Sequence, residues 1–136
     1  MKVNGYEIME GADLRQANLF KANLFKADLR RANLQGADLR RANLYGADLY
    51  GAIVPVAEFD ERGHQFCIKA DDNEIRFIAG CRNFSYEEAV AHWGAEDYRD
   101  RARGDMYLAH VEMYYQWWES RSLTFKGGVF FKETEK

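Results

Sequence analysis

GADLRQANLFKANLFKADLRRANLQGADLRRANLYGADLYGAIV, running from Gly11 to Val54, is a five-residue unit, Ala-(Asn/Asp)-Leu-x-x, repeated without interruption. Alanine recurs every five residues from Ala12 to Ala52, and leucine follows two residues later, from Leu14 to Leu49. A 3.6-residue period would scatter these leucines around a cylinder, and a 2-residue period would send alternate ones to opposite faces. A coil that turns a corner every five residues brings all of them to one axis, and Ala is small enough to let opposite walls close in. Stacked coils then satisfy the backbone as neighbouring strands do. The intervening Asp13, Asn18, Asn23, Asp28, Asn33, Asp38, Asn43 and Asp48 have short polar side chains suited to bonding the nearby backbone at each corner, a structural rather than a catalytic part. The register continues, weakened, through Ala52-Ile53-Val54 and Ala57-Glu58-Phe59 and stops at Arg62-Gly63.

This run resembles the pentapeptide-repeat family. The resemblance covers about a third of the chain and implies a right-handed quadrilateral β-helix of two to three coils, with four pentapeptides per coil and Leu and Ala inside. The expected fold is therefore mainly β: a short solenoid with its lead-in over residues 1–59, capped by a small α+β unit over 60–136. Function does not follow from the fold, because one architecture hosts many activities. The resemblance brings to mind relatives that protect DNA gyrase by imitating duplex DNA with an acidic rod. This chain departs from them. At ~4.8 Å per coil the stub is roughly 10 to 14 Å long, against roughly 34 Å for one turn of DNA.

Charge points the same way. The chain of 136 residues has a net charge of −3, but residues 1–52 carry eight Lys/Arg against six Asp/Glu, net +2, and residues 53–136 carry eleven against sixteen, net −5. A basic repeat is a poor copy of a polyanion, so a DNA-mimic topoisomerase inhibitor is the least favoured function. No apolar run approaches the length of a membrane helix, and the opening MKVNGYEIME lacks the apolar stretch of a secretory signal. The expectation is a soluble cytoplasmic protein without membrane partners, with Cys67 and Cys81 as thiols rather than a bridge.

Adding twenty to a residue number returns to the same face one coil higher. Phe20 then lies beside Arg40, Lys21 beside Arg41, Phe25 beside Tyr45, and Arg30 beside Tyr50. Aromatic and basic side chains alternate there, which suits an anionic ligand held by stacking or the acidic and aromatic elements of a protein. Phe20, Phe25, Arg30, Arg40, Arg41, Tyr45 and Tyr50 are the candidate site on the repeat, and a small nucleotide-like anion is expected where Phe25, Arg30, Tyr45 and Tyr50 meet. Single-stranded nucleic acid would be held only weakly by so small a net charge, and duplex DNA is not expected.

The C-terminal half reads as mixed α and β. His64–Ala70 and Glu74–Ala79, separated by Asp71-Asp72-Asn73, form a hairpin lying on the last coil as a lid. Ser85-Tyr86-Glu87-Glu88 is a capping box that starts a short helix ending at Gly94. A longer helix is expected from about 105 to 120, with Met106, His110, Met113 and Trp117 on one stripe and Tyr107, Val111, Tyr114 and Trp118 on the next. Of these, Tyr107, Tyr114, Trp117 and Trp118 are the candidate interface with a protein partner or a second subunit, so a homo-oligomer is expected. Leu123–Lys132 reads as a last hairpin turning at Gly127-Gly128. The segment from Ala79 to Trp93 is similar to an extension of phage and prophage pentapeptide-repeat proteins, which implies a phage-encoded accessory factor or virion component.

Catalysis is not expected. Cys81, His92 and Glu88 could in principle form an activated thiol, but Glu88 is already a capping residue and Cys81 a small strand-end side chain. His64, Cys67, Cys81 and His92 are of metal-ligating type without the paired Cys-x-x-Cys spacing, so neither metal nor cofactor is expected. The chain reads as a non-catalytic interaction protein binding a host protein or its own subunits, with a small anionic ligand as the alternative.

Overall fold

The five-residue period is present in the backbone as a left-handed residue at every fifth position. Gly11, Gln16, Lys21, Lys26, Arg31, Gly36, Arg41, Gly46 and Gly51 all have φ between 56° and 80°. Each of these from Gln16 onward is the third residue of a turn closed by the following Ala N–H donating to the preceding Leu carbonyl at 2.9–3.1 Å, the position at which a type II turn requires positive φ. The structure is a computed structural model and describes residues 1–58, 65–80, 82–96, 98–121, 124–125 and 127–129.

Successive passages of the repeat lie in parallel, twenty residues apart. Asp13 bridges Asn33, Asn18 bridges Asp38, Asn23 bridges Asn43, Asp28 bridges Asp48, and Asn33 bridges Ile53. The Leu14 N–H donates to Asn33 O at 2.8 Å, and Asn33 N–H donates to Ala12 O at 2.9 Å, a pattern repeated at each corner. All leucines from Leu14 to Leu49 are buried, as are the alanines from Ala17 to Ala52. At every corner the Asn or Asp Oδ1 accepts the N–H of the residue two further on, at 3.0–3.2 Å, as their short side chains suggested.

Strands β1 (Lys2–Val3) and β2 (Tyr6–Glu7) precede the repeat. They pair antiparallel about Asn4-Gly5, both with positive φ, as an Asn-Gly hairpin turn demands. This hairpin covers the open edge of the first coil. The Asn4 side chain donates to the carbonyls of Asn18 and Phe20, each at 3.3 Å, and the Asn18 N–H donates to the Tyr6 hydroxyl at 3.1 Å.

After the repeat come β3 (Ile53–Glu58), β4 (Gln65–Ala70), β5 (Ile75–Ala79), β6 (Arg82–Phe84), α1 (Tyr86–Trp93), α2 (Arg101–Ser120), β7 (Thr124–Phe125) and β8 (Gly128–Val129). The fold is mainly β, with antiparallel sheets and two helices. Strands β3 to β6 form one antiparallel sheet in chain order. The repeat register ends sooner than expected. Ile53 still bridges Asn33, but Ala57 pairs with Phe66 of β4, after an irregularity between Pro55 and Ala57. Ile-Val-Pro-Val favours extended backbone, and Pro55 has no N–H to give a ladder. The expected stop at Arg62-Gly63 and the boundary at 59/60 lie outside the described residues.

The sheet sits on the second coil. Gln65 accepts the Gly36 N–H at 2.7 Å and donates to Ala37 O at 3.1 Å, while Ala70 O accepts the Gly51 N–H at 2.8 Å. The hairpin between β4 and β5 turns on Asp71, whose Oδ1 accepts from the Asn73 and Glu74 N–H groups. Ser85 and Glu88 form the reciprocal capping box of α1. Helix α2 starts one turn earlier than expected, because the Asp100 side chain caps it by accepting from Arg103 N–H at 3.0 Å. Phe66 packs against Phe77, Trp93, Tyr107 and Tyr114, with ring centroids 5.7–6.5 Å apart. One apolar core runs from Ile8 to Tyr114.

Candidate functional site: the basic aromatic face of the repeat

The residue following each Leu cannot point inward, because Leu and Ala take the interior, so its side chain is displayed outside the coil. In two successive passages these positions hold Phe20, Phe25, Arg40 and Tyr45. The Phe25 and Tyr45 rings stack, with centroids 6.0 Å apart and planes 7° from parallel. The Arg40 guanidinium lies 5.4 Å from the Phe20 ring centroid. The left-handed positions add Lys21, 5.3 Å from the Phe20 ring, and Lys26, 5.2 Å from the Phe25 ring, both within cation–π range. Phe20, Phe25 and Tyr45 are 38, 47 and 66 % exposed.

Charge on the repeat is divided unevenly. Where Asp precedes Arg by two residues the guanidinium folds back on it with two hydrogen bonds: Arg15 on Asp13, Arg30 on Asp28 and Arg40 on Asp38, at 2.7–2.9 Å. This pairing holds the Asp13 carboxyl well below the usual carboxylate range, at about 2. Arg30 also reaches Glu10 at 3.1 Å, and Arg31 reaches Glu10 at 2.9 Å. Among the described residues, Lys21, Lys26 and Arg41 form no ion pair with a carboxylate. The uncompensated positive charge therefore lies beside the exposed rings.

The expected meeting of Phe25, Arg30, Tyr45 and Tyr50 is divided by these contacts. Phe25 and Tyr45 stack on each other. Arg30 is committed to Asp28 and Glu10, and the hydrogen bonding to Asp28, followed by the charges of Asp28 and Glu10, raises its pKa further above the ordinary value. Tyr50 donates its hydroxyl proton to Asp72 at 3.2 Å while accepting the Asp72 N–H at 3.3 Å, so the acidic turn of the C-terminal half occupies that end of the face. Gly127 O also accepts the Gly46 N–H at 2.9 Å, which seats the β7–β8 hairpin beside Tyr45. That hairpin does not turn at Gly127-Gly128 as expected, since Gly128 already belongs to β8 and pairs with Phe125; Leu123, Lys126 and residues 130–132 lie outside the described residues.

On α2 the two apolar stripes have opposite fates. Tyr107 and Tyr114, expected at an interface, are core residues, 6 and 8 % exposed, because they meet Phe66 of β4. Trp118, from the same stripe, is half-buried and its indole N–H donates to Asp71 O at 2.8 Å. Trp117 stays 39 % exposed, next to Met106 and Met113 on the outer stripe. Sequence alone could not choose between the stripes, since both have helical spacing.

Glu88 and His92, weighed for catalysis, and Cys67, weighed with His92 for a metal, are among the described residues. Cys67 is buried, and burial pushes its thiol up to about 12, against thiolate formation. Glu88 accepts the Ser85 N–H. Burial, and secondarily Arg82, lowers the His92 pKa. Cys81 and His64 lie outside the described residues, and among the described ones no group of three His, Cys, Asp or Glu could hold a metal ion. No described helix is long and apolar enough to cross a membrane.

Residues 22–54 match the family model for pentapeptide repeats in eight copies, over about a quarter of the chain. No curated protein and no solved structure matches the chain.

Proposed function

We propose that residues 12–54 form a short right-handed quadrilateral β-helix and that the protein is a non-catalytic interaction protein, whose repeat face receives an acidic and aromatic surface of a protein partner. Four five-residue corners and a return to the same face after twenty residues support the β-helix. The observation that carries the function is the juxtaposition of exposed Phe20, Phe25 and Tyr45 with Lys21, Lys26 and Arg41, cations without carboxylate partners among the described residues. Exposed rings beside uncompensated charge favour a partner that supplies both stacking area and carboxylates. The partner is a host protein or a second subunit, and the resemblance of residues 79–93 is the support for a phage or prophage origin and so for the host protein.

A small anionic ligand is the second reading, supported by the same rings and cations. Arg30 contributes less to it than its position in the sequence suggests, being already paired. Affinity capture from a bacterial lysate, comparing the wild type with Lys21→Glu/Lys26→Glu, tests the function. A protein retained by the wild type and lost from the double variant is the expected result. Equal capture by both, or a copurifying nucleotide as the sole bound species, overturns it.

A further inference from the structure

Where α1 and α2 lie side by side, Tyr86 and Tyr115 stack at 3.9 Å between centroids, with planes 22° apart. The Tyr86 hydroxyl donates to Glu112, and Glu112 and Glu119 stand three residues before and four after Tyr115 on α2, the spacings that share one helix face. Glu87, Glu112 and Glu119 are exposed, and among the described residues none of them forms an ion pair with a cation. Glu119 first, then Glu87 and Glu112, raise the Tyr115 phenol above its ordinary value, and the Glu112 hydrogen bond pushes Tyr86 up to about 12. Half-buried rings rimmed by unpaired carboxylates are the chemical converse of the repeat face.

Resting on the reading of the repeat face as a receiver of acidic and aromatic groups, we propose that its occupant is a second copy of this chain, which enters with Tyr86, Tyr115 and the carboxylates of Glu87, Glu112 and Glu119. Three cations without carboxylate partners among the described residues, on the basic part of the chain, meet three carboxylates without cation partners among the described residues, on the acidic part. Phe25 and Tyr45 are exposed, so their stacked rings are accessible to another molecule. The two surfaces differ, so the contact is head-to-tail and either closes into a ring or extends as a filament. The charges on both sides are exposed and therefore screened by salt.

Sedimentation velocity on the full chain, with Lys21→Gln/Lys26→Gln on one side and Glu87→Gln/Glu119→Gln on the other, tests this. The wild type is expected to self-associate, with an association constant falling about tenfold or more between low and high salt. Each double variant alone is expected to be monomeric. Their equimolar mixture is expected to form a complex, since each keeps the face the other has lost. A monomeric wild type at low salt overturns the proposal, as does association of either variant at wild-type strength. A self-associating wild type whose variants fail to complement points to a symmetric interface and also overturns it. Circular dichroism verifies the fold, and Arg41→Glu, on the same repeat face, replaces a variant that fails to fold. If the wild type is monomeric while lysate capture still depends on Lys21 and Lys26, the binding function stands and only the second copy is eliminated.

Discussion

Gln16, Lys21, Lys26, Arg31 and Arg41 hold a left-handed backbone that L side chains adopt at a cost of roughly 1–2 kcal/mol, while glycine takes the same position at 36, 46 and 51 without it. The glycines are not placed at random. A Cβ on Gly36 would stand 2.9 Å from Gln16 Cγ, and one on Gly46 would stand 3.0 Å from Lys26 Cγ. Glycine in the upper coil thus makes room for the long side chain beneath it. Gly36→Ala is therefore expected to lower stability by about 1–2 kcal/mol, read by denaturant unfolding, and Gln16→Gly in the same background should recover the part due to crowding. No loss in Gly36→Ala would refute this account of the column. The corner bonds at this scale were legible in the sequence because each joins residues two apart. The choice of Asp over Asn follows a further local rule at 13, 28 and 38, where an Arg two residues on takes both carboxylate oxygens. Asp48, followed by Tyr50, departs from that rule, and Arg30 Nε lies 3.9 Å from it across the coils.

Among the elements, α1 was readable to within a residue, because a capping box and a terminal glycine are local signals. The start of α2 was not. Gly104 is buried inside the helix, facing α1. There a Cβ would come 2.9 Å from Trp93 O and 2.8 Å from Tyr98 Cδ1. The close approach is held by Arg101, which donates to the carbonyls of Trp93 and Ala95. Alanine is a better helix former than glycine by about 1 kcal/mol, yet Gly104→Ala is expected to destabilise by about 1–3 kcal/mol through overpacking. A melting temperature at or above the wild type would show that the two helices need not be so close. The Asn4-Gly5 hairpin is the converse case: its turn signal stood in the sequence, but its use as a cap depended on Asn4 and Tyr6 reaching a coil twelve or more residues away.

Across the whole molecule the repeat and the C-terminal half share one core, joined where β3 leaves the coil and pairs with β4. Phe66, on β4, is fully buried and meets aromatic rings from β5, α1 and α2. Phe66→Ala is expected to cost about 3–5 kcal/mol and to lower a single unfolding transition in which near- and far-ultraviolet circular dichroism change together. A repeat signal that keeps its wild-type midpoint would instead mean two independently folding units. What the sequence alone determined is the repeating unit: its inward Leu and Ala and its corner bonds, consequences of interactions that recur at a constant short spacing, while the twenty-residue return was implied by the family resemblance. What only the tertiary structure decided is which aromatic groups remain available. Tyr107 and Tyr114 are buried because β4 presents Phe66 to that stripe of α2, and Tyr50 is engaged because the β4–β5 turn brings Asp72 to it. Phe25 and Tyr45 stay exposed. Each outcome depends on segments distant in sequence meeting at one place, and no local period encodes such a meeting.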